Sequence, residues 1–483
     1  MLRIQHWLRV LSGACAGLAV WISPADAGQW TFSGQIAPEL RGYIDPPEYG
    51  KPKDPLILEL QRIVRTERPN FFFPFTGQDS QRMWPSIAGD FTVEYEWNAG
   101  ADKIVFMPFG RLADNDDRRT HADLREGHWL HVRKNWDAVV GVSKVFWGVT
   151  ESRHLVDIVN QDDQVEDING EVKLGQPMVN GNIFGEWGRL SLFYLPYFRE
   201  RTFEANNARF RGPLPIDVDA AIFESDLEQW HPDFAARYET TWRDLDVGLS
   251  AFHGTSREPG YDIEFRQNGV FTVPTYGILT QIGLDALYTR GNWLWKVEAI
   301  SRWGPGDDYG AAVGGFEYTF HNLFNTSRDV GLLLEYNYDG RRKPPPAIFP
   351  FDQTTTNRIE SKLRKFARNP SKLISLVNEF GDVIDNGRIE YNGGVPPAFF
   401  DDDIYVGARL TFNDEKDTNV LVGAIIDVEE QGTYLQIEAT RRLDNNWSLE
   451  LDGSFFIDVP KSDTPLFFVS SDSFVQVQLF RYF

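Results

Sequence analysis

Stretches of about ten residues with alternating hydrophobicity recur along this chain, the length a tilted β-strand needs to cross a bilayer. Eighteen can be placed, near 29–43, 85–98, 101–111, 123–134, 136–147, 176–185, 188–198, 234–243, 245–254, 275–289, 292–302, 310–321, 329–339, 402–412, 418–428, 432–442, 446–457 and 472–483. After every even-numbered stretch up to the sixteenth the link is short, as at Asn98–Ala101, Lys134–Asn135, Glu186–Trp187, Arg243–Asp244 and Arg290–Gly291. After odd-numbered stretches the links are mostly long: 44–84, 148–175, 199–233 and 340–401. A soluble β-sandwich has no reason to sort its loops this way. A transmembrane antiparallel up-and-down β-barrel must, because its periplasmic turns are short and its extracellular loops long. The parity rests on reading Met178–Gly185 and Gly188–Phe198 as a hairpin; without it the count is odd, and sixteen strands is the fallback. An even count leaves both ends of the barrel sequence on the periplasmic side.

The faces agree. Phe91, Val93, Tyr95 and Trp97 alternate with Thr92, Glu94 and Glu96; Trp295, Val297 and Ala299 alternate with Lys296, Glu298 and Ile300. In lipid the charged member must face the lumen, because a charge exposed at mid-membrane costs ~2–4 kcal/mol. In the last stretch Val475, Val477 and Leu479 share one face, Gln476 and Gln478 the other, and the chain ends on Phe483. This resembles the closing strand of bacterial outer-membrane barrels. The resemblance implies that Phe483 belongs to an assembly signal, with periplasmic chaperones and the barrel-assembly machinery as partners. One position departs from that pattern: Arg481 stands where an aromatic is usual.

The N-terminal segment fits the same compartment. Arg3 and Arg9 precede a mostly apolar run from Leu11 to Ile22, and Ala25-Asp26-Ala27 offers a cleavage site before Gly28. Residues 1–27 therefore read as a secretory signal peptide, and 28–483 as a single barrel domain. Cys15, the only cysteine, falls in that leader, so neither a disulfide framework nor a cysteine metal site is available to the rest. No apolar run approaches the ~20 residues of a transmembrane helix. A net charge of −22 argues against a nucleic-acid partner. An aromatic content of 14% suits the girdles of a barrel, whose outer partners would be membrane lipids and lipopolysaccharide of a Gram-negative outer membrane.

Barrels of about eight strands are filled by side chains, whereas 16–18 leave a water-filled channel. Passive passage of small polar or charged solutes, or of an exported polymer, is the function that follows. The strand charges assigned inward are Glu94, Glu96, Glu239, Glu298, Glu335, Glu438, Glu450 and Asp452 against Arg189, Arg237, Lys296, Arg302 and Arg442. This small acidic excess favours cations or neutral solutes, although each residue taken singly reads equally as a solvated lumen charge. The Trp147–Pro177 segment mixes charged with apolar residues at no clean period. Leu155, Val156, Ile158 and Val159 would be out of place in a free loop, so the segment is expected to fold inward as a constriction. Glu151, Arg153, His154 and Asp157 would then point into the pore. Val142 to Arg199, with its Phe-Trp-Gly-x-x-Glu-Ser and Asp-Ile-Val-Asn runs and its Leu-Pro-Tyr-Phe-Arg end, resembles alginate-export-like and related outer-membrane porins. That resemblance implies a barrel of similar strand number with a charged pore. Arg199, Arg201, Arg209 and Arg211 read as an extracellular cluster that touches lipopolysaccharide phosphates. Residues 354–380 carry a helical pattern suited to a lid or covering helix, and Phe71, Phe72, Phe73 and Phe75 suggest packing over the mouth.

Other chemistry finds little support. Asp157, Asp162, Asp163, Glu166, Asp167 and Glu171 could hold Ca²⁺, but Val165 occupies a position where an EF-hand needs oxygen. His128 and His131, like Ser250 and His253, fall on opposite faces of a strand and cannot act together. No Gly-x-Ser-x-Gly elbow occurs. No catalytic residue and no cofactor is expected; a barrel enzyme of lipid-hydrolase or protease type, or an adhesin, is the alternative.

Overall fold

A computed structural model describes residues 28–47, 77–212, 214–266, 269–306, 308–341, 388–391, 402–428, 432–460 and 469–483. The leader at 1–27, the helical pattern at 354–380 and the Phe71–Phe75 run lie outside the described residues.

In chain order the strands are β1 Gln29–Tyr43, β2 Met83–Trp97, β3 Asp102–Ala113, β4 His121–Val132, β5 Trp136–Ser143, β6 Gln176–Gly185, β7 Gly188–Leu195, β8 Ile222–Phe223, β9 Asp233–Trp242, β10 Leu245–Thr255 and β11 Gly260–Arg266. They continue as β12 Gly269–Tyr276, β13 Ile278–Arg290, β14 Trp293–Trp303, β15 Tyr309–Phe320, β16 Asp329–Asp339, β17 Arg388–Tyr391, β18 Asp402–Thr411, β19 Asn419–Asp427, β20 Thr433–Arg442, β21 Trp447–Ile457 and β22 Phe474–Tyr482. Eighteen of them form one sheet in which sequence neighbours pair antiparallel. The sheet closes on itself: β1 pairs with β2 and also with β22, with Glu39 opposite Gln478 and Tyr43 opposite Phe474. Backbone bonds between Gly34 and Phe483, 3.1 Å in each direction, complete the seam. Closure leaves no unpaired edge, which a lipid environment would penalise. Among the described residues no helix is long and apolar enough to cross a membrane.

The polarity of this molecule is the reverse of a water-soluble protein's. On β1, Trp30, Phe32, Ile36 and Leu40 are exposed on the outer face, while Glu39, Arg41 and Tyr43 are buried on the inner one. The same alternation puts Leu249, Ile282 and Leu284 outside and Glu298, Glu335 and Asn337 inside. Beside the short turns the outer face carries aromatic rings in contact, among them Trp30–Tyr95 tilted at 4.5 Å, Trp293–Tyr318 edge-on at 4.6 Å and Trp187–Tyr238 stacked at 5.9 Å. Such a girdle marks one bilayer interface. Arg481 belongs to this rim: its guanidinium donates to the Tyr482 carbonyl at 2.7 Å and lies 5.4 Å from the Trp447 ring centre, so the charge reaches polar backbone without crossing lipid.

The eighteen barrel strands fall where the alternation put them, including the 178–185/188–198 hairpin on which the parity depends. Two ends differ. β5 stops at Ser143 and β7 at Leu195, because the chain leaves the wall there and turns inward; Trp147, expected to end a strand, stands in the lumen edge-on to Phe193 at 5.6 Å. A second sheet escaped the pattern. It joins β17, β11, β12 and β8 in that order, and its members come from three different loops. Pairing between segments this far apart leaves no trace in local periodicity.

Replacing Leu284 by Arg places a charge at mid-strand on the lipid face. The barrel in lipid bilayers should lose about 2–4 kcal/mol of unfolding free energy in denaturant titrations, against little change in a detergent-solubilised, strand-end control such as Trp242→Arg.

Candidate functional site

Between β5 and β6 the chain enters the barrel. Gly148 permits the turn, with φ of 137° and an approach so close that a Cβ would meet a Glu298 carboxylate oxygen at 2.9 Å. Beyond it Leu155, Val156, Ile158 and Val159 are buried together with Trp147 against the inner wall, on Met178, Phe193, Phe252, Leu279, Ile300 and Val313. Each such burial contributes about 1.5–3 kcal/mol. Both the entry and the apolar anchoring follow the sequence expectation for this segment.

The tip is moored by wall carboxylates that receive its backbone amides. Glu298, on β14, accepts from the Val149 N–H at 2.7 Å and from the Thr150 N–H and hydroxyl at 3.0 and 2.6 Å; its other oxygen takes the Val156 N–H at 3.2 Å. Glu335, on β16, accepts from the Glu151 N–H at 2.9 Å and from the Ser152 N–H and hydroxyl at 2.8 and 2.7 Å. Neither carboxylate is reached by water. A buried charge is tolerated only when it is fully hydrogen-bonded, so loop and wall depend on each other here. β5 and β14 are fifth and eleventh in the eighteen-strand ring, so the loop spans the lumen from root to tip.

The predicted pore residues divide. Glu298 and Arg302, expected in the pore wall, are buried instead; Arg302 donates to Gln281 at 2.7 Å and pairs with Glu258 at 3.2 Å. Burial alone would raise the Glu258 carboxyl, but Arg302, Arg341, Arg153 and Arg201 hold it well below the usual range. Arg153 donates to Asp339 at 2.7 Å, and His154 meets the Phe146 ring edge-on at 4.7 Å. Asp157 is also enclosed, beside Lys173 at 3.2 Å, and burial raises its carboxyl above the ordinary value. Arg189, at the short-turn end of β7, remains open to water beside Asn182 and Glu239. Glu151 does face the lumen and pairs with Arg409 of β18 at 2.8 Å, with Lys296 at 3.6 Å.

The carboxylates considered for Ca²⁺ are dispersed among separate partners. Asp162 meets Lys173 and Arg201, Asp163 meets Arg125, and Glu166 meets Arg111. Asp167 accepts the Asn169 and Glu171 N–H groups. Among the described residues no three His, Cys, Asp or Glu side chains converge as a metal site would require. His128 turns to the Val142 carbonyl, whereas His131 sits with Asp102. The arginines read as a surface cluster are internal. Arg209 is fully buried between Asp472 at 2.7 Å and the Tyr43 ring, Arg201 binds Asp162, and Arg199 binds Asp123 at 2.7 Å. Arginine spacing alone could not separate a solvated patch from buried ion pairs whose partners lie 39, 76 and 263 residues away.

An acidic sector lies beside the loop. Glu438 on β20 and Asp452 on β21, with Glu450 next to them, project inward near Glu151, Asp167 and Glu171 of the loop. Glu171 is open to lumen water, yet the enclosing protein and the like charges of Glu438, Asp167, Glu151 and Asp452 push its carboxyl up to about 7.

No known protein family matches this chain, and no curated protein matches it. Among solved structures it is similar to OmpT, an outer membrane protein of Vibrio cholerae, at 10% identity over 95% of this chain and 100% of that one, with a TM-score of 0.42. A BenF-like porin from Pseudomonas fluorescens Pf-5 is 8% identical over 95% of this chain and 98% of that one, with a TM-score of 0.44. Pseudomonas putida OprB is 9% identical over 94% of each chain, with a TM-score of 0.39. Likenesses this distant lend nothing to the assignment of function, which rests on the barrel itself.

Removing a mooring should free the tip. Glu298→Ala strands three backbone donors at ~1–3 kcal/mol each, and Glu335→Ala two. In either variant, limited proteolysis of the folded barrel should cut within 148–153, where the unaltered protein resists.

Proposed function

We propose that this protein is a passive diffusion channel of a Gram-negative outer membrane, narrowed by the 144–175 loop and preferring small cations. The observation that carries the reading is the loop itself. It is moored across the lumen on Glu298 and Glu335, and its free edge faces Glu438 and Asp452 with carboxylates of its own. An eighteen-stranded ring encloses more space than its wall side chains can fill. A loop so anchored reduces that space to a passage, and uncompensated carboxylates beside the passage favour cations. On this reading the apolar outer wall meets membrane lipids and lipopolysaccharide, and chaperones and the barrel-assembly machinery bring it there. The Val142–Arg199 stretch, which resembles alginate-export-like porins, supplies the constricting element. Its Arg153 and Arg199 are engaged in internal ion pairs, which argues against a polyuronate path along them.

Reconstitution in planar bilayers tests the proposal. Steady open steps are expected, with a reversal potential in a salt gradient of the sign that cation passage gives, and shortening the loop between Trp147 and Lys173 should raise the step size. A verified folded barrel that stays silent would overturn the reading. The acid sector adds a pH dependence. Below about 7 Glu171 is neutral and above it negative, so cation preference should rise between roughly pH 6 and 8. In Glu171→Gln that inflection should disappear while conductance persists.

A further inference from the structure

A second segment turns inward after β7, at the long-loop end of the barrel. Phe198, Phe203, Ala205, Ala208 and Phe210 are buried along it. Its far end is fixed at the seam where β1 meets β22: Phe210 packs on Tyr43 and Phe474, and Arg209 donates to Asp472 at 2.7 Å and to the Ser471 carbonyl at 2.9 Å. Its near end rests on the 144–175 loop, with the Thr202 hydroxyl on Asp163 at 2.7 Å and the Arg199 guanidinium on the Gly175 carbonyl at 2.9 Å. Between the two attachments lies a cavity with room for about one water, bordered by Tyr43 and Trp84 of the wall. Three acids also border it. Asp116 accepts the N–H groups of Arg118, Arg119 and Ala205, and Glu166 binds Arg111. Glu204 differs: its Oε1 has no hydrogen-bond partner among the described residues, and neither has Nη1 of Arg209, which borders the same cavity. Glu204 is 8% exposed and Arg209 0%, so bulk water does not satisfy either group.

We propose that this cavity binds one water molecule, which accepts from Arg209 Nη1, donates to Glu204 Oε1 and so latches the middle of the segment to its mooring at the seam, and that the latch holds only while Glu204 is neutral. A polar cavity of this size is one that water fills, because buried donors and acceptors are costly to leave unmade. The surrounding charges oppose one another. Arg41 of β1, Arg118 and Arg119 of the β3–β4 link, and Arg209, itself paired with Asp472, favour the carboxylate; Asp116 and Glu166 disfavour it. Burial outweighs the cations and pushes the Glu204 carboxyl up to about 8. The docked segment therefore holds that proton more tightly than a segment free in water. Docking has its full strength below the ordinary glutamate range and weakens as pH rises through about 8. One water cannot replace bulk solvent around a carboxylate, so the ionised side chain favours the lifted segment. The latch acts whether or not solutes pass the barrel.

Trypsin reads the latch directly, since Arg199, Arg201, Arg209 and Arg211 all lie in the segment. In the folded full-length barrel, with protease activity normalised at each pH, cleavage there should be slow at pH 7 and rise about tenfold by pH 9. Glu204→Gln keeps an acceptor that cannot ionise and should stay resistant up to pH 9. Glu204→Leu removes the acceptor and should already be cut at pH 7. A crystal structure at neutral pH should show a single water between Glu204 Oε1 and Arg209 Nη1. Cleavage of the unaltered protein that ignores pH, the same rise in Glu204→Gln, or resistance of Glu204→Leu equal to the unaltered protein's would each overturn the proposal. An anion in that crystal's cavity, or no bound species, would overturn it even if neither variant folded.

Discussion

Closure of the sheet is the constraint on which everything else in this molecule depends. In hydrocarbon no water is available to an unpaired N–H or C=O, so a strand can cross only if both its edges are bonded. The β1–β22 seam supplies the last of those bonds, through the Glu39–Gln478 and Tyr43–Phe474 registers and the Gly34–Phe483 pair. Once the ring is closed, each strand has an outside and an inside, and period-2 alternation sorts leucine and tryptophan from glutamate and arginine. The buried charge of the lumen and the exposed apolar wall are two consequences of one geometric fact.

Enclosure then creates its own chemistry. The lumen is narrow enough for a loop to span it and deep enough to strip water from carboxylates. Glu298 and Glu335 answer that loss by taking backbone amides of the loop, and Glu258 and Asp339 answer it with arginines. Where the neighbouring charges are themselves acidic, as beside Glu171 and Glu438, the carboxylates repel one another and remain open to water. The same physics therefore immobilises one side of the loop and keeps the other side wet. The loop is held by hydrogen bonds to charge, stronger than those between neutral groups, rather than by apolar packing alone.

Much of the barrel was legible in the chain. The alternation within 29–43 or 329–339 and the short links at 134–135 or 290–291 report strand and turn directly, because lipid and lumen impose opposite requirements on adjacent residues. The inward course of the 144–175 loop was legible too, since Leu155, Val156, Ile158 and Val159 have no other place to go. Its moorings were not. Glu298 and Glu335 differ in no sequence property from Glu438, yet two are buried anchors and one faces water. The donors that distinguish them are backbone N–H groups, which every residue has. Arg209 likewise looked like a surface charge because its partner, Asp472, lies at the far end of the chain.

The sequence by itself determined the barrel strands, their number, their polarity and the element that turns inward, because each of these follows from the solvent that successive side chains meet. Only the tertiary structure decided which carboxylates bind the loop, which remain wet, and that Glu204 and Arg209 border one cavity. Those outcomes depend on strand register and on where a long loop comes to rest across the lumen, and both are properties of chain segments brought together from far apart.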